Sequence, residues 1–358
     1  MKTKLYVLYG GKSVEHEVSL RTAFTVLGSI DRDKFDVYPI YITPNGIWSC
    51  EGIQNHAPQS KEELLQQPDA AGEAESIGSI MLRYFSLQGK RVALPLLHGS
   101  NGEDGTVQGF MELLDVPYVG NGVLSSALTL DKAVSKQLLA QADIAQTPYL
   151  SLMLGEWLEE REVWLGRAEA ELRFPCYVKP ASLGSSIGIS RCENRDQLAA
   201  GIEEAFRFDR KIVVEREVAG REIQVAVMGN ERSVVSLPGE FIHDNRFFDF
   251  ESKYMDTNLR MSIPAVLPEE VTERIRELAA RAYEVLCCSG LARVDFFWDG
   301  EGGLYLNEVN SFPGFTATSM YPVMWERTDG TTYAELVEKL IDYAWMRHAD
   351  RAALVYAR

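Results

Sequence analysis

Four stretches of the chain carry side chains whose types and spacing could do chemistry. The first is LARVDFFW and LYLNEVN, joined by DGEGG, within residues 291–310. Two strand-like segments around a glycine-rich link predict a hairpin. A turn centred between Glu301 and Gly302 sets Asp295 opposite Glu308 and Arg293 opposite Asn310. Period 2 then puts all four side chains on one face. Two carboxylates facing each other across a ladder repel and are tolerated best around a cation. Carboxylate and amide oxygens without His or Cys suit a hard ion such as Mg²⁺. A solvent-facing polar ladder accounts for the same residues, and a one-residue slip in register would separate them.

The second stretch is the loop ASLGSS, residues 181–186, with Lys179 just before it. Gly184 permits close backbone approach to a ligand, and Ser185 and Ser186 add hydroxyl and amide donors suited to phosphate oxygens. The Walker pattern GxxxxGK[ST] is absent, and an ordinary turn would use the same small residues. The third stretch pairs GGKSVEHEVS (residues 10–19) with HGSNGEDG (residues 98–105), each following a strand-like run. Glu15, Glu17 and His98 could bind an amine or a carboxylate there. Helix capping competes, with Ser13 as N-cap and acids in the first turn. Capping accounts for Glu17, and Glu15 stays open between the two. The fourth stretch is 241–260, where Lys253 and Tyr254 follow Phe247, Phe248 and Phe250. Lys253 could neutralise phosphate and Tyr254 could close over a substrate, although a lone lysine is usually a solvated surface charge.

The elements that must position these groups alternate. Strands are predicted at 4–9, 37–42 and 92–97, with a helix over 16–30. This pattern implies a parallel α/β sheet, with its ligand edge at the carboxyl ends of the strands, where Gly10-Gly11 and His98-Gly99 fall. Residues 55–79 read as a polar surface excursion. A domain boundary is expected near residue 121, and a helix over 130–142 follows. Strands are then expected at 175–180, 187–190, 211–215 and 221–229, with a helix over 195–208. Further helices are expected at 269–287 and 332–347.

Composition narrows the classes. The 358 residues contain 36 Lys plus Arg against 52 Asp plus Glu, for a formal net charge of −16. That balance argues against a nucleic-acid partner, and any anionic ligand must find its own local cations. No apolar stretch approaches the ~20 residues of a membrane span, and the N-terminal apolar run is too short for a signal peptide. Five scattered cysteines without CxxC read as thiols in a reducing compartment. The histidines lack zinc-ligand spacing. A cytoplasmic location is expected.

Taken together, GGKSVEHEVS, HGSNGEDGTVQG, YVKPASLGSSIGIS, FFDFESKY, ARVDFF and NEVNSFPGFTATSMYP, in this order and over nearly the whole chain, resemble the D-alanine–D-alanine ligase family of the ATP-grasp superfamily. The resemblance implies a mixed α/β and α+β architecture: an N-terminal parallel α/β domain (1–121), a central ATP-grasp subdomain (122–212) and a C-terminal one (213–358). It implies that ATP lies between the last two, with Lys132 and Lys179 on its phosphates and Lys253, Ser185 and Ser186 beside them. Glu215 and the Val218 backbone would hold adenine, and Glu222 the ribose. Asp295, Glu308 and Asn310 would bind two Mg²⁺, with Mn²⁺ a possible substitute. Glu15 would hold the ammonium of the first D-alanine and link through Ser185 to Tyr254, with His98 also at the substrate. Arg293 and the Gly314 amide would stabilise the oxyanion. Ser319 and Met320 would receive the second D-alanine's carboxylate. Met320 departs from the leucine of some branches, and Glu217 from an aromatic in some relatives. A homodimer formed through the N-terminal domain and a bacterial cytoplasm making peptidoglycan precursors are also implied.

Three alternatives bear on this reading. Related ligases use D-lactate or D-serine as the second substrate, and Tyr254 favours D-alanine. A non-catalytic nucleotide-binding relative would be expected to lose Arg293 or the metal ligands, all of which are present. Another ATP-grasp ligase would not need GGKSVEHEVS and HGSNGEDG. The resemblance also implies an acyl phosphate, which hydrolyses if water reaches it, so the aromatic and charged stretch 241–260 is the expected lid. Tyr254→Ala is predicted to raise the ratio of phosphate released to dipeptide formed. An unchanged ratio, measured on the same reaction samples, would remove the lid role.

Overall fold

Long uninterrupted apolar runs mark strands that are covered on both faces, and the first sheet is built from them. β1 (Thr3–Gly10), β2 (Phe35–Ile42), β3 (Trp48–Ser49) and β4 (Arg91–Pro95) lie in the order β3-β2-β1-β4. β1 is parallel to both β2 and β4, and β3 adds an antiparallel edge. The computed structural model describes residues 2–68, 72–242 and 260–355. One face of this sheet packs on Ala23, Val26 and Leu27 of the helix His16–Ser29. The other packs on Phe85, Met111 and Tyr118. The polar excursion expected at 55–79 is tied down more than its composition suggests. Leu64 is fully buried, its carbonyl accepts from the Tyr9 hydroxyl at 2.9 Å, and Glu73–Ile80 is helical.

The helix expected over 130–142 starts at Lys132 and ends at Gln141. Asp131 caps it, its carboxylate accepting from the amides of Ala133 and Val134 at 3.1 Å. A separate helix, Val123–Leu130, precedes it. β5 (Tyr149–Met153), β6 (Cys176–Pro180), β7 (Ser190–Cys192) and β8 (Lys211–Arg216) form a second sheet, all antiparallel, in the order β5-β8-β6-β7. β7 begins at Ser190, three residues after the expected strand at Ile187. Residue 212, the expected domain boundary, falls inside β8. This sheet and the helices Leu154–Glu171 and Arg195–Ala205 enclose a core of their own around Trp157, Leu165, Leu198, Ile202 and Val214.

The third sheet contains β9 (Arg221–Gly229) and β10 (Ser233–Val235). The short pair β11 (Glu240–Ile242) and β12 (Arg260–Ser262) comes next, and then β13 (Gly290–Trp298) and β14 (Leu304–Asn310) complete the sheet in the order β10-β9-β13-β14. One face packs on the helix Glu269–Val285. The other shares a single core with the first sheet and with the helices Met320–Asp329 and Tyr333–Ala352. No helix among the described residues is long and apolar enough to cross a membrane.

The first and third sheets are also joined by polar ties. Asn121 is buried, donates to the carbonyls of Leu291 at 2.7 Å and Ser311 at 2.8 Å, and accepts from the Ser289 amide at 3.0 Å. Arg347 donates to the carbonyls of Tyr118, at 2.8 Å, and Gly120, and to the Ser289 hydroxyl at 2.7 Å. Asn121→Ala would leave three buried backbone groups unpaired, at about 1–3 kcal/mol for each. The expected result is a thermal midpoint lowered by roughly 5 °C or more. A shift under about 1 °C in a melting experiment would contradict this role for Asn121.

Candidate active site

The hairpin β13–β14 brings together four of the expected groups. Asp295 pairs with Glu308 and Arg293 with Asn310, as the alternation of the two segments predicts. Beyond them the register shifts, with Phe296 opposite Leu306, so Asn307 is an extra residue in a bulge. The turn is therefore centred half a residue from the expected point, and the bulge absorbs the difference. Arg293 grips Asp295 as a fork, with Nε and Nη2 each donating to a carboxylate oxygen at 2.7 Å. Asn310 Nδ2 adds a third bond to Asp295 at 3.1 Å. Burial pushes the Asp295 carboxyl up to about 6, against the pull of Arg293 and with Glu222 and Glu308 adding to the rise. Burial acts to lower the Arg293 pKa, but Asp295, Glu308 and Glu222 raise it overall.

The second sheet supplies Lys179 and the small-residue loop, and the helix Lys132–Gln141 supplies Lys132. Lys179, on β6, donates to Glu215 Oε2 at 2.9 Å and lies 3.5 Å from Asn307 Oδ1, so the bulge aims Asn307 at it. Burial would lower the Lys179 pKa, yet Glu215, Glu308 and Glu222 hold it above the ordinary value. Lys132 reaches the Leu183 carbonyl at 2.6 Å and Glu308 at 3.9 Å. Ser185 and Ser186 both adopt left-handed backbone with φ of +52° and +58°. Two successive non-glycine residues in that region are uncommon and mark a loop held for a purpose. Val218 lies between β8 and β9, and Glu222, on β9, accepts from Gln224 at 3.2 Å. Glu217 is held by Tyr177 at 3.0 Å and Arg191 at 2.7 Å.

The first sheet contributes from its carboxyl edge. Glu15 is buried and accepts a hydrogen bond from Ser185, joining the N-terminal segment to the small-residue loop. A Cβ on Gly99 would stand 2.5 Å from Glu15 Oε2, so glycine is needed where HGSNGEDG crosses Glu15. Sequence reasoning passed over Glu103 in that motif. Its carboxylate accepts from the Gly99 amide at 3.0 Å, and burial, then Glu15, raises its pKa well above the ordinary value. A side chain that bonds the backbone of its own loop has no distinct sequence signal. His98 is buried beside Thr22 at 3.1 Å, and burial lowers its pKa to about 4, so the ring is neutral at pH 7. A cleft of about 340 Å³ opens beside this edge, between Ser100, Asp104, Asp131, Ser182 and Leu183. Its lining shares the two loops with the site but none of the charged groups gathered above.

Gly314 and Ser319 are adjacent, since a Cβ on Gly314 would lie 3.4 Å from Ser319 Oγ. Ser319 precedes the helix Met320–Asp329, whose N-terminus attracts anions. Met320 is buried, and its sulfur lies 2.9 Å from where a Cβ on Gly239 would stand, so its side chain faces the core and leaves its backbone amide at the helix start. Lys253 and Tyr254 lie outside the described residues. Among the described residues no group of three or more His, Cys, Asp and Glu side chains gathers as a metal site. Asp295 and Glu308, with the amide of Asn310, offer two carboxylates only. Two carboxylates, one of them buried Asp295, and an amide, with no His or Cys among them, nevertheless fit a hard divalent cation.

Comparisons with known proteins agree along the whole chain. Residues 4–121 match the family profile described as D-ala D-ala ligase N-terminus, and residues 138–342 the one described as D-ala D-ala ligase C-terminus. The D-alanine--D-alanine ligase of Geobacillus kaustophilus is 46% identical over 362 residues, covering 99% of this chain and 98% of that one. The solved VanG D-Ala:D-Ser ligase of Enterococcus faecalis superposes with a TM-score of 0.78 at 34% identity, covering 96% of this chain and all of the other. The D-alanine--D-alanine ligase of Bacillus anthracis, solved in complex with ATP, gives 0.73 at 28% identity over 98% and 99% of the two chains. With the sheets and the relatives in agreement, the chain belongs to the D-alanine–D-alanine ligase family and has its ATP-grasp fold.

Proposed function

We propose that the chain joins two D-alanines into D-alanyl-D-alanine, with ATP supplying the energy through a D-alanyl phosphate, for peptidoglycan precursors in a bacterial cytoplasm. The observation that carries the reading is the convergence of Arg293, Asp295, Glu308 and Asn310 on one hairpin face with Lys132 and Lys179 beside them. In the reading, residues 1–121 give Glu15 and His98 to the first D-alanine, while 122–212 and 213–358 flank ATP. Glu15, bonded to Ser185, receives the substrate ammonium, with neutral His98 close by.

Lys132, Lys179 and Lys253, with Ser185 and Ser186, screen the phosphates as the first D-alanine's carboxylate attacks the γ-phosphorus. Glu215 and the Val218 backbone hold adenine, and Glu222 holds the ribose. Pinned by Tyr177 and Arg191, Glu217 is kept at the adenine edge where some relatives carry an aromatic. Asp295, Glu308 and Asn310 would hold two Mg²⁺, with Mn²⁺ as a substitute, and these ions supply charge neutralisation when bound. The amine of the second D-alanine, held by its carboxylate at Ser319 and the Met320 amide, attacks the acyl carbonyl, and phosphate leaves. Arg293 and the Gly314 amide take the charge that develops on the carbonyl oxygen, while Tyr254 closes the site. A homodimer formed through residues 1–121 belongs to the reading. Charge argues against nucleic acid as a partner, and no membrane role is part of the reading.

Arg293→Ala removes an oxyanion donor and also releases Asp295 from its fork. Turnover is expected to fall by about 10²–10³, with a smaller change in the KM for ATP. A fall below about tenfold, in steady-state assays with folding checked by circular dichroism, would make Arg293 a structural partner of Asp295 and overturn its role at the oxyanion.

A further inference from the structure

Lys136 has no part in the reaction as derived above, yet its side chain is almost wholly buried, at 2% exposure. It lies one turn after Lys132 on the same helix, so the two lysines share a face. Lys132 points toward Leu183 and Glu308. Lys136 points instead to Glu215, its Nζ 3.3 Å from Oε1, with the geometry of an ion pair and not of a hydrogen bond. The other oxygen of Glu215 accepts from Lys179 at 2.9 Å. Glu215 is thus clamped between two ammonium groups, one on each oxygen.

A lysine kept for packing alone would be replaced without loss by an apolar side chain of its size, because burying an ammonium is costly. Burial does lower the Lys136 pKa, with Glu215 opposing it. Burial would likewise raise Glu215, yet Lys136 and then Lys179 hold its carboxyl at about 2. The charge on Glu215 therefore has two counter-ions, and one of them, Lys179, is also needed by the phosphates. If Lys179 were the sole partner, moving it toward ATP would strand a buried carboxylate, which is strongly unfavourable.

We infer that Lys136 is a positioning residue for ATP: the standing counter-ion of Glu215, which allows Lys179 to leave Glu215 for the phosphates without stranding a buried anion. This rests on the assignment of Glu215 and Lys179 to ATP made under the proposed function. In this role Lys136 acts through these two side chains and not on the substrate itself.

The test uses the full-length enzyme in steady-state kinetics. Lys136→Met is expected to raise the KM for ATP by about tenfold or more, with the KM for D-alanine changed by less than about threefold. Glu215→Gln itself weakens ATP binding but removes the anion that needs a counter-ion, so in the Glu215→Gln background Lys136→Met is expected to change the KM for ATP by less than about threefold. A packing role would give the same rise in both backgrounds. The inference is overturned if Lys136→Met leaves the KM for ATP within about threefold of the wild type, or if its effect is as large in the Glu215→Gln background as in the wild type. If Lys136→Met does not fold, the double variant decides against Glu215→Gln alone: a kcat/KM for ATP within about threefold of that single variant supports the counter-ion role, and a larger loss overturns it. Lys179→Met separates the two levels of argument. No effect on the KM for ATP sinks the assignment of Lys179 itself, whereas a rise there with none in Lys136→Met sinks the Lys136 inference alone.

Discussion

The forked contact between Arg293 and Asp295 is the constraint around which the site is organised. Both groups are charged and nearly removed from water, and their stability depends on two hydrogen bonds of 2.7 Å and a third from Asn310. Such a pair is tolerable only where the backbone is rigid, and β13 is a central strand, bonded to β9 on one side and β14 on the other. Its guanidinium is thereby fixed in direction before any substrate arrives, as preorganised electrostatic stabilisation requires. The bulge at Asn307 then turns one more polar side chain toward Lys179 without disturbing the Asp295–Glu308 pair.

The remaining parts are held relative to that strand by two means. The first and third sheets share a hydrophobic core, and Asn121 and Arg347 satisfy backbone carbonyls across their junction. The second sheet encloses its own core and meets the others through polar contacts, Ser185 on Glu15 and Lys179 near Asn307, while the helix that carries Lys132 packs Leu139 into the core under the third sheet. Apolar burial thus fixes the platform, while charge and hydrogen bonding orient the loop at 181–186 on it. Polar contacts of this kind exchange partners more readily than packed cores do, which suits the nucleotide-binding role proposed for this loop.

Much of this was legible in the sequence, and the reasons differ from element to element. The hairpin pairing could be read because two alternating segments and a short glycine-rich link leave few registers open. Its bulge was not legible, because an extra residue in a strand has no side-chain signature. In the loop at 181–186 the glycine attracted notice, whereas the left-handed conformations belong to Ser185 and Ser186, which the fold imposes on them. The helix Leu154–Glu171 was missed because Glu160 leaves helical geometry and breaks the phase of its apolar positions. Lys136 reads as a solvated helix residue until Glu215, from a strand distant in sequence, is brought against it. The roles of Lys253 and Tyr254 rest on the sequence resemblance, since both lie outside the described residues.

The most direct test of the ligase reading measures phosphate release and dipeptide formation together, with ATP, Mg²⁺ and D-alanine, against L-alanine and against D-alanine mixed with D-lactate or D-serine. The account predicts phosphate and D-alanyl-D-alanine in equal amounts with D-alanine, none with L-alanine, and little mixed product in the other arms. ATP binding without phosphate release in any arm would contradict it and leave a nucleotide-binding protein on a ligase scaffold.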